Sequence, residues 1–157
     1  PGMKIEEKNQ INYKPVKTKI VSIYSGTKNI KEANPGGSIG IKTTLDPAIV
    51  KSDSLAGSLI GLPGKLPDVH YELTLKIDLL DRVVGTKEDI EVESIKPREV
   101  LMLNVNSTAT VGLVYEISKE EIKCKLKLPV CAEKGARVTI SRRMGNRFRL
   151  IGYGFIE

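Results

Sequence analysis

The sequence predicts an all-β fold divided into two consecutive modules, barrels or sandwiches. Three observations carry that expectation. Apolar and polar residues alternate with a period of two through run after run. Turn-forming residues stand between the runs, and no apolar pattern holds helical spacing over about a dozen residues. The alternating runs are residues 19–24, 38–43, 71–77, 100–105, 110–117, 121–128, 137–141 and 148–155.

Taken in order, each run has a physical reading. In Tyr71-Glu72-Leu73-Thr74-Leu75-Lys76-Ile77, the residues Tyr71, Leu73, Leu75 and Ile77 would line one face and polar groups the other, the signature of a strand wet on one side. Pro35-Gly36-Gly37, residues 104–107, Lys134-Gly135 and Gly145-Asn146 supply turns. Leu62-Pro63-Gly64-Lys65-Leu66-Pro67 reads as the linker, because two prolines and a glycine in so short a stretch disfavour either regular element. It divides the chain into modules 1–64 and 65–157. A closed barrel is comfortable for the second and tight for the first. The first therefore reads as partial, and the abrupt, charged start at Pro1-Gly2 reads as that of a piece cut from a longer protein.

Composition narrows the function. The chain has 157 residues, 40% of them apolar, which is enough to bury a core and too much for disorder. No apolar stretch approaches the roughly 20 residues that span a bilayer, and no leader is visible, so a cytosolic location is expected. Cys124 and Cys131 read as small buried apolar side chains, and His70 as a structural or solvent-facing residue. No zinc spacing and no nucleophile-base pair can be assembled around one histidine, so neither metal ligands nor catalytic residues are expected. Lys42-Thr43 follows Gly40-Ile41, not a glycine loop, and is no phosphate site.

The charge of +6 is compatible with a polyanionic partner, because cations that neutralise phosphates release counterions. Its placement is uneven. Lys123, Lys125 and Lys127 alternate with Cys124, Leu126 and Leu128, which sets three ammonium groups on one strand face and the apolar residues toward the core. Arg142, Arg143, Arg147 and Arg149 surround the Gly145-Asn146 turn. These residues are candidates for contact with RNA or a partner domain, or for a solvated hairpin whose charged edges block aggregation. Asp81 and Arg82 read as a local ion pair.

Several segments read together carry a resemblance: Lys17-Thr18-Lys19-Ile20-Val21-Ser22-Ile23, Ala33-Asn34-Pro35-Gly36-Gly37-Ser38-Ile39-Gly40-Ile41-Lys42-Thr43, Leu45-Asp46-Pro47, Leu79-Leu80-Asp81-Arg82-Val83-Val84-Gly85, Glu99-Val100-Leu101-Met102-Leu103-Asn104-Val105, Leu128-Pro129-Val130-Cys131-Ala132-Glu133, and Ile140-Ser141-Arg142-Arg143 through Arg149-Leu150-Ile151-Gly152-Tyr153-Gly154. In this order they resemble the C-terminal part of the gamma subunit of archaeal and eukaryotic translation initiation factor 2, over almost the whole chain.

The resemblance implies the two β-barrels of a translational GTPase, related to the elongation factor that delivers aminoacyl-tRNA, without the domain that holds GTP and Mg. It implies no enzyme and no cofactor in this chain. It implies a cytoplasmic partner set: methionyl initiator tRNA, the alpha and beta subunits, and the small ribosomal subunit. By position it assigns Val21, Ser22, Ile23, Tyr24, Gly36, Gly37, Ser38 and Ile39 to the tRNA acceptor end, with Gly36 and Gly37 letting backbone approach a base or ribose. Tyr24 is either a stacking platform or a half-buried strand residue. Gly26, Thr27, Lys28 and Asn29 are assigned to the alpha subunit. The alternative is a freestanding basic RNA-binding protein of two barrels; an enzyme has least to stand on.

Overall fold

Alternating residues become strands where a partner strand can take up their backbone groups. The computed structural model describes residues 2–7, 10–34, 36–86 and 89–157. Its elements are β1 (Met3–Glu7), β2 (Gln10–Lys14), β3 (Ile20–Ser25), β4 (Lys28–Ile30), β5 (Gly40–Thr43), α1 (Pro47–Val50), β6 (Val69–Leu79), β7 (Val100–Val105), β8 (Thr108–Ile117), β9 (Glu121–Cys131), β10 (Arg137–Met144) and β11 (Arg147–Ile156). The one α-helix among the described residues is a single turn, too short for periodicity to reveal. It starts where Asp46 caps the Ala48 N–H at 2.8 Å and Pro47 presets the first helical φ.

The chain divides into two compact units, Gly2–Ala56 and Gly57–Glu157. Residues 57–64, which the prolines and glycines of the sequence would leave with the first module, belong to the second. The Thr108 hydroxyl donates to the Gly57 carbonyl at 2.7 Å, and Gly57 sits at φ 74° with no room for a Cβ beside that hydroxyl.

In the smaller unit β1 and β2 form an antiparallel hairpin, and β4-β3-β5 form a separate antiparallel sheet. Neither sheet closes. No side chain described there is fully buried, and Ile20 and Val21 are more than half exposed.

In the larger unit six strands close a barrel in the order β10-β11-β6-β9-β8-β7. Its interior is the alternation predicted from sequence: Leu75, Leu101, Leu103, Ile122, Val114, Cys124, Val138, Ile140 and Ile151 have no exposed surface. Gly112 belongs to this interior, where an added Cβ would lie 2.7 Å from Leu103 Cδ1 and 3.2 Å from Cys124 Cβ. His70 is structural, its Nε2 3.0 Å from the Ala132 carbonyl oxygen.

Three expectations need correction. Tyr71 and Leu128 are exposed, not in the core, because the β6–β9 register slips between His70 and Glu72, taking both residues out of the regular alternation. At the slip, Thr110 stands in for the missing ladder partner: its hydroxyl donates to the Leu128 carbonyl at 2.7 Å and accepts the Leu128 N–H at 3.1 Å. Cys131, beyond the slip, is half-buried, whereas Cys124 is wholly inside. Arg82 pairs with Asp89 at 2.9 Å; the Asp81 backbone carbonyl instead accepts the Val92 N–H.

The long connection from β6 to β7 also feeds the core. Val83 and Ile95 are buried in it, and the Leu80 and Val84 N–H groups bond to the carbonyls of Ile151 and Leu150. No period marks such a segment, since its apolar residues are fixed by loop geometry rather than by strand pleat.

Candidate nucleic-acid interface

The residues assigned to the tRNA end fall in the smaller unit. Tyr24 pairs with Gly40 of β5 on one side and Asn29 of β4 on the other, so the strand and the bend that precedes β5 are neighbours. Gly36 and Gly37 adopt φ 107° and 85°, with nothing within 4 Å of where a Cβ would stand; this leaves the backbone open to close approach. Pro35 lies outside the described residues. Ser38 and Ile39 are exposed. Ser22 and Ile23 are half-buried, and Val21 and Tyr24 are exposed, Tyr24 by 36%. Strand alternation separates Tyr24 from Ile23, so the assigned residues share a strand but not a face.

Gly26 and Thr27 make the two-residue turn that closes Ser25 onto Lys28, with Gly26 at φ 58°. Lys28 and Asn29 begin β4, and all four are exposed. Residues 20–23 and 29–31 line an open groove between β3 and β4.

The lysines of β9 do lie on the outer face of the barrel. Lys123 is 2.8 Å from Glu116, whose carboxylate holds the ammonium above its ordinary pKa. Lys125 lies in register with Glu72 and Leu113, and Lys127 is exposed. Beside them Tyr115 donates to Glu72 at 3.1 Å, and desolvation together with that carboxylate raises its hydroxyl pKa.

The arginine hairpin is real, and its four cations do different things. Arg142 is held inward: it bonds Glu99 through Nε at 2.5 Å and Nη2 at 3.2 Å, and donates to the Glu93 and Ser94 carbonyls. Only 17% of its side chain is exposed. The Arg149 guanidinium lies over Gly85, where a Cβ would be 2.8 Å from Nη1. Arg143 and Arg147 are exposed, with Arg143 Nε bonded to the Gly145 carbonyl of its own turn. β7 accompanies β10 only to Arg142, and β6 accompanies β11 only to Gly152. Beyond those points residues 143–148 continue as a two-stranded ribbon. Phe148, 40% exposed, pairs across it with Arg143. In the sequence it stands between Arg147 and Arg149, an aromatic interleaved with arginines.

Residues 71–156, the barrel strands with their long connection, match the family model described as "Initiation factor eIF2 gamma, C terminal". The chain belongs to that family. It is 53% identical over all 157 residues to the translation initiation factor 2 subunit gamma of Thermococcus onnurineus, and 52% identical to those of Pyrococcus furiosus and Methanocaldococcus jannaschii. In each case the match covers 100% of this chain and 38% of the relative. The eIF2 gamma resemblance read from the ordered segments thus holds for the full length of the chain.

Proposed function

We propose that this chain is the barrel region of an initiation factor 2 gamma subunit, which in a GTP-dependent complex delivers methionyl initiator tRNA to the small ribosomal subunit. The observation that carries the reading is the identity of 52–53% running through both units, not the barrel alone. The smaller unit supplies the contacts to the tRNA acceptor end through Tyr24 and the open backbone at Gly36 and Gly37, and to the alpha subunit through the Gly26-Thr27 turn. Arg143 and Arg147 on the two-stranded ribbon, with Lys125 and Lys127, meet RNA or a neighbouring domain of the complex. The setting is cytoplasmic, and the beta subunit completes the assembly.

GTP and Mg belong to the family's GTPase domain, and the residues here do not fit them. Lys42 lies within strand β5, paired with Ser22, so its backbone amides serve a ladder rather than a phosphate cradle. No step of nucleotide chemistry is assigned to this chain.

The test is equilibrium binding of labelled initiator tRNA to the pure chain across a salt series. Weak binding that falls with salt is expected, with Arg143→Ala and Arg147→Ala each lowering the slope of log K against log salt by about one. Nanomolar, methionine-dependent binding by this chain alone overturns the division of contacts, because affinity of that order requires the contacts of the whole factor. Absence of any salt slope removes the RNA role, and GTP hydrolysis by the pure chain overturns the non-catalytic assignment.

A further inference from the structure

Over β7 and β8 the outer wall of the barrel is apolar, although a sheet wet on one side calls for polar residues there. Val100 and Leu113 stand directly opposite each other, 49% and 43% exposed, and the next outward pair is Met102 and Val111, both half-buried. Tyr115 extends the patch along β8 and is 48% exposed, although its hydroxyl is tied to Glu72. Leu101, Leu103 and Val114 alternate with these residues and fill the interior. Both strands are therefore apolar on two faces, and Val100-Leu101-Met102-Leu103 is a continuous run, the pattern of a strand covered on both sides. Barrel closure covers only the inner one.

Cations border the patch on both sides. Lys125 of β9 is opposite Leu113, Lys127 follows at the Val111 end, and register brings Arg143 of β10 to the Val100 end of β7. Among the described residues none of the three forms an ion pair, and the Arg143 Nε is bonded to a carbonyl of its own turn. The nearby carboxylates are engaged: Glu116 holds Lys123, Glu99 holds Arg142, and Glu72, opposite Lys125, accepts the Tyr115 hydroxyl. With Glu72 counted, the surplus on this wall is positive, three unpaired cations against one carboxylate that no cation holds.

We propose that this wall is covered by an acidic amphipathic helix of a protein partner, aliphatic along one stripe and edged with Asp and Glu. Successive outward residues of a strand lie about 6.8 Å apart, and residues i and i+4 of a helix are separated by about 6 Å along its axis. A helix laid along β7 and β8 thus sets one apolar residue over each outward pair. Its flanking carboxylates then meet Lys125 and Lys127 on one side and Arg143 on the other. RNA would match the cations but not the patch, because Val100 and Leu113 offer a nucleotide neither a stacking surface nor a hydrogen bond, and covering them rewards an apolar partner. The inference rests on the reading of these three cations as contact residues, and it takes protein rather than RNA as what they meet.

The test uses the full 157-residue chain, isotopically labelled for nuclear magnetic resonance. The probe is a capped peptide of about 18 residues, long enough to hold a helix in water, with leucines at helical spacing and glutamates beside them. Two companion peptides change one property each: lysine for every glutamate, or alanine for every leucine. The acidic peptide should shift the resonances of Val100, Leu113 and Tyr115 with a Kd on the order of 0.1–1 mM, and both companions should bind about tenfold more weakly or worse. Lys127→Glu and Leu113→Ser, both at exposed positions, should each weaken the acidic peptide about threefold, with unchanged Ile140 and Ile151 signals certifying the fold. Equal shifts from the lysine peptide, shifts confined to other surfaces, or unaltered binding by both variants would each overturn the proposal. Shifts of the same residues by initiator tRNA, with none from the acidic peptide, would overturn it too and leave the RNA reading standing. Peptide binding without any tRNA binding would support it and remove only the RNA role.

Discussion

Cys124 and Cys131 stand in one strand, and their surroundings differ, the first buried and the second half-buried. Cys124 is enclosed by the barrel interior, and burial pushes its thiol from an ordinary 9.0 up to about 12. The folded state therefore keeps the proton over a range in which the unfolded chain loses it. The resulting stabilisation is complete below pH 9 and is lost as pH rises toward 12. Denaturant titrations at about pH 8 and about pH 11 should show the parent losing about 2 to 3 kcal/mol more than Cys124→Ala over that interval. Parallel losses in the two proteins would mean that the thiol is not held neutral by burial. That Cys124 faces inward was legible in the alternation with Lys123 and Lys125. That Cys131 does not follow suit was not, because the register slip at His70 depends on a partner strand far away in sequence.

At the scale of elements, the hairpin was legible and the division of labour within it was not. Gly145-Asn146 between two alternating runs announces a tight turn, and the structure closes Met144 onto Arg147 across it, with Gly145 at φ 59°. Four arginines on one hairpin look alike in sequence. What separates Arg142 from Arg143 and Arg147 is Glu99, at the end of the irregular β6–β7 connection, where no periodicity points to a partner. Arg142 ties that connection to β10 through a mostly buried ion pair and two backbone carbonyls. Removing the guanidinium leaves Glu99 and those carbonyls short of partners, so Arg142→Ala should destabilise the barrel by roughly 1–3 kcal/mol. Arg143→Ala and Arg147→Ala should stay within about 0.5 kcal/mol, as for exposed positions with little packing. Thermal unfolding of the three variants checks this, and equal losses in all three would place the ribbon's exposed arginines in the fold rather than at an interface.

For the whole molecule, the fold class followed from the dominance of period-2 patterning, since only sheets make use of it. Which unit carries the stability is a matter of closure. The buried apolar residues described, from Leu73 to Ile156, all belong to the larger unit; the smaller unit has none among its described residues. Pattern reports which face would be buried; whether anything buries it depends on strand count and closure. Burial contributes about 25 cal/mol per Å² of apolar surface, and an open sheet with exposed Ile20 and Val21 gathers little of it to set against backbone entropy. Amide exchange should therefore divide the chain. Amides of β6 to β11 should exchange only through global unfolding, and those of β3, β4 and β5 through local opening at far lower cost. A chain reduced to residues 57–157, which retains Gly57 as the acceptor for Thr108, should melt within a few degrees of the full protein. Equal protection in β3 and β8, or collapse of the barrel on removal of residues 1–56, would show that the smaller unit contributes to the core and that the two units fold as one.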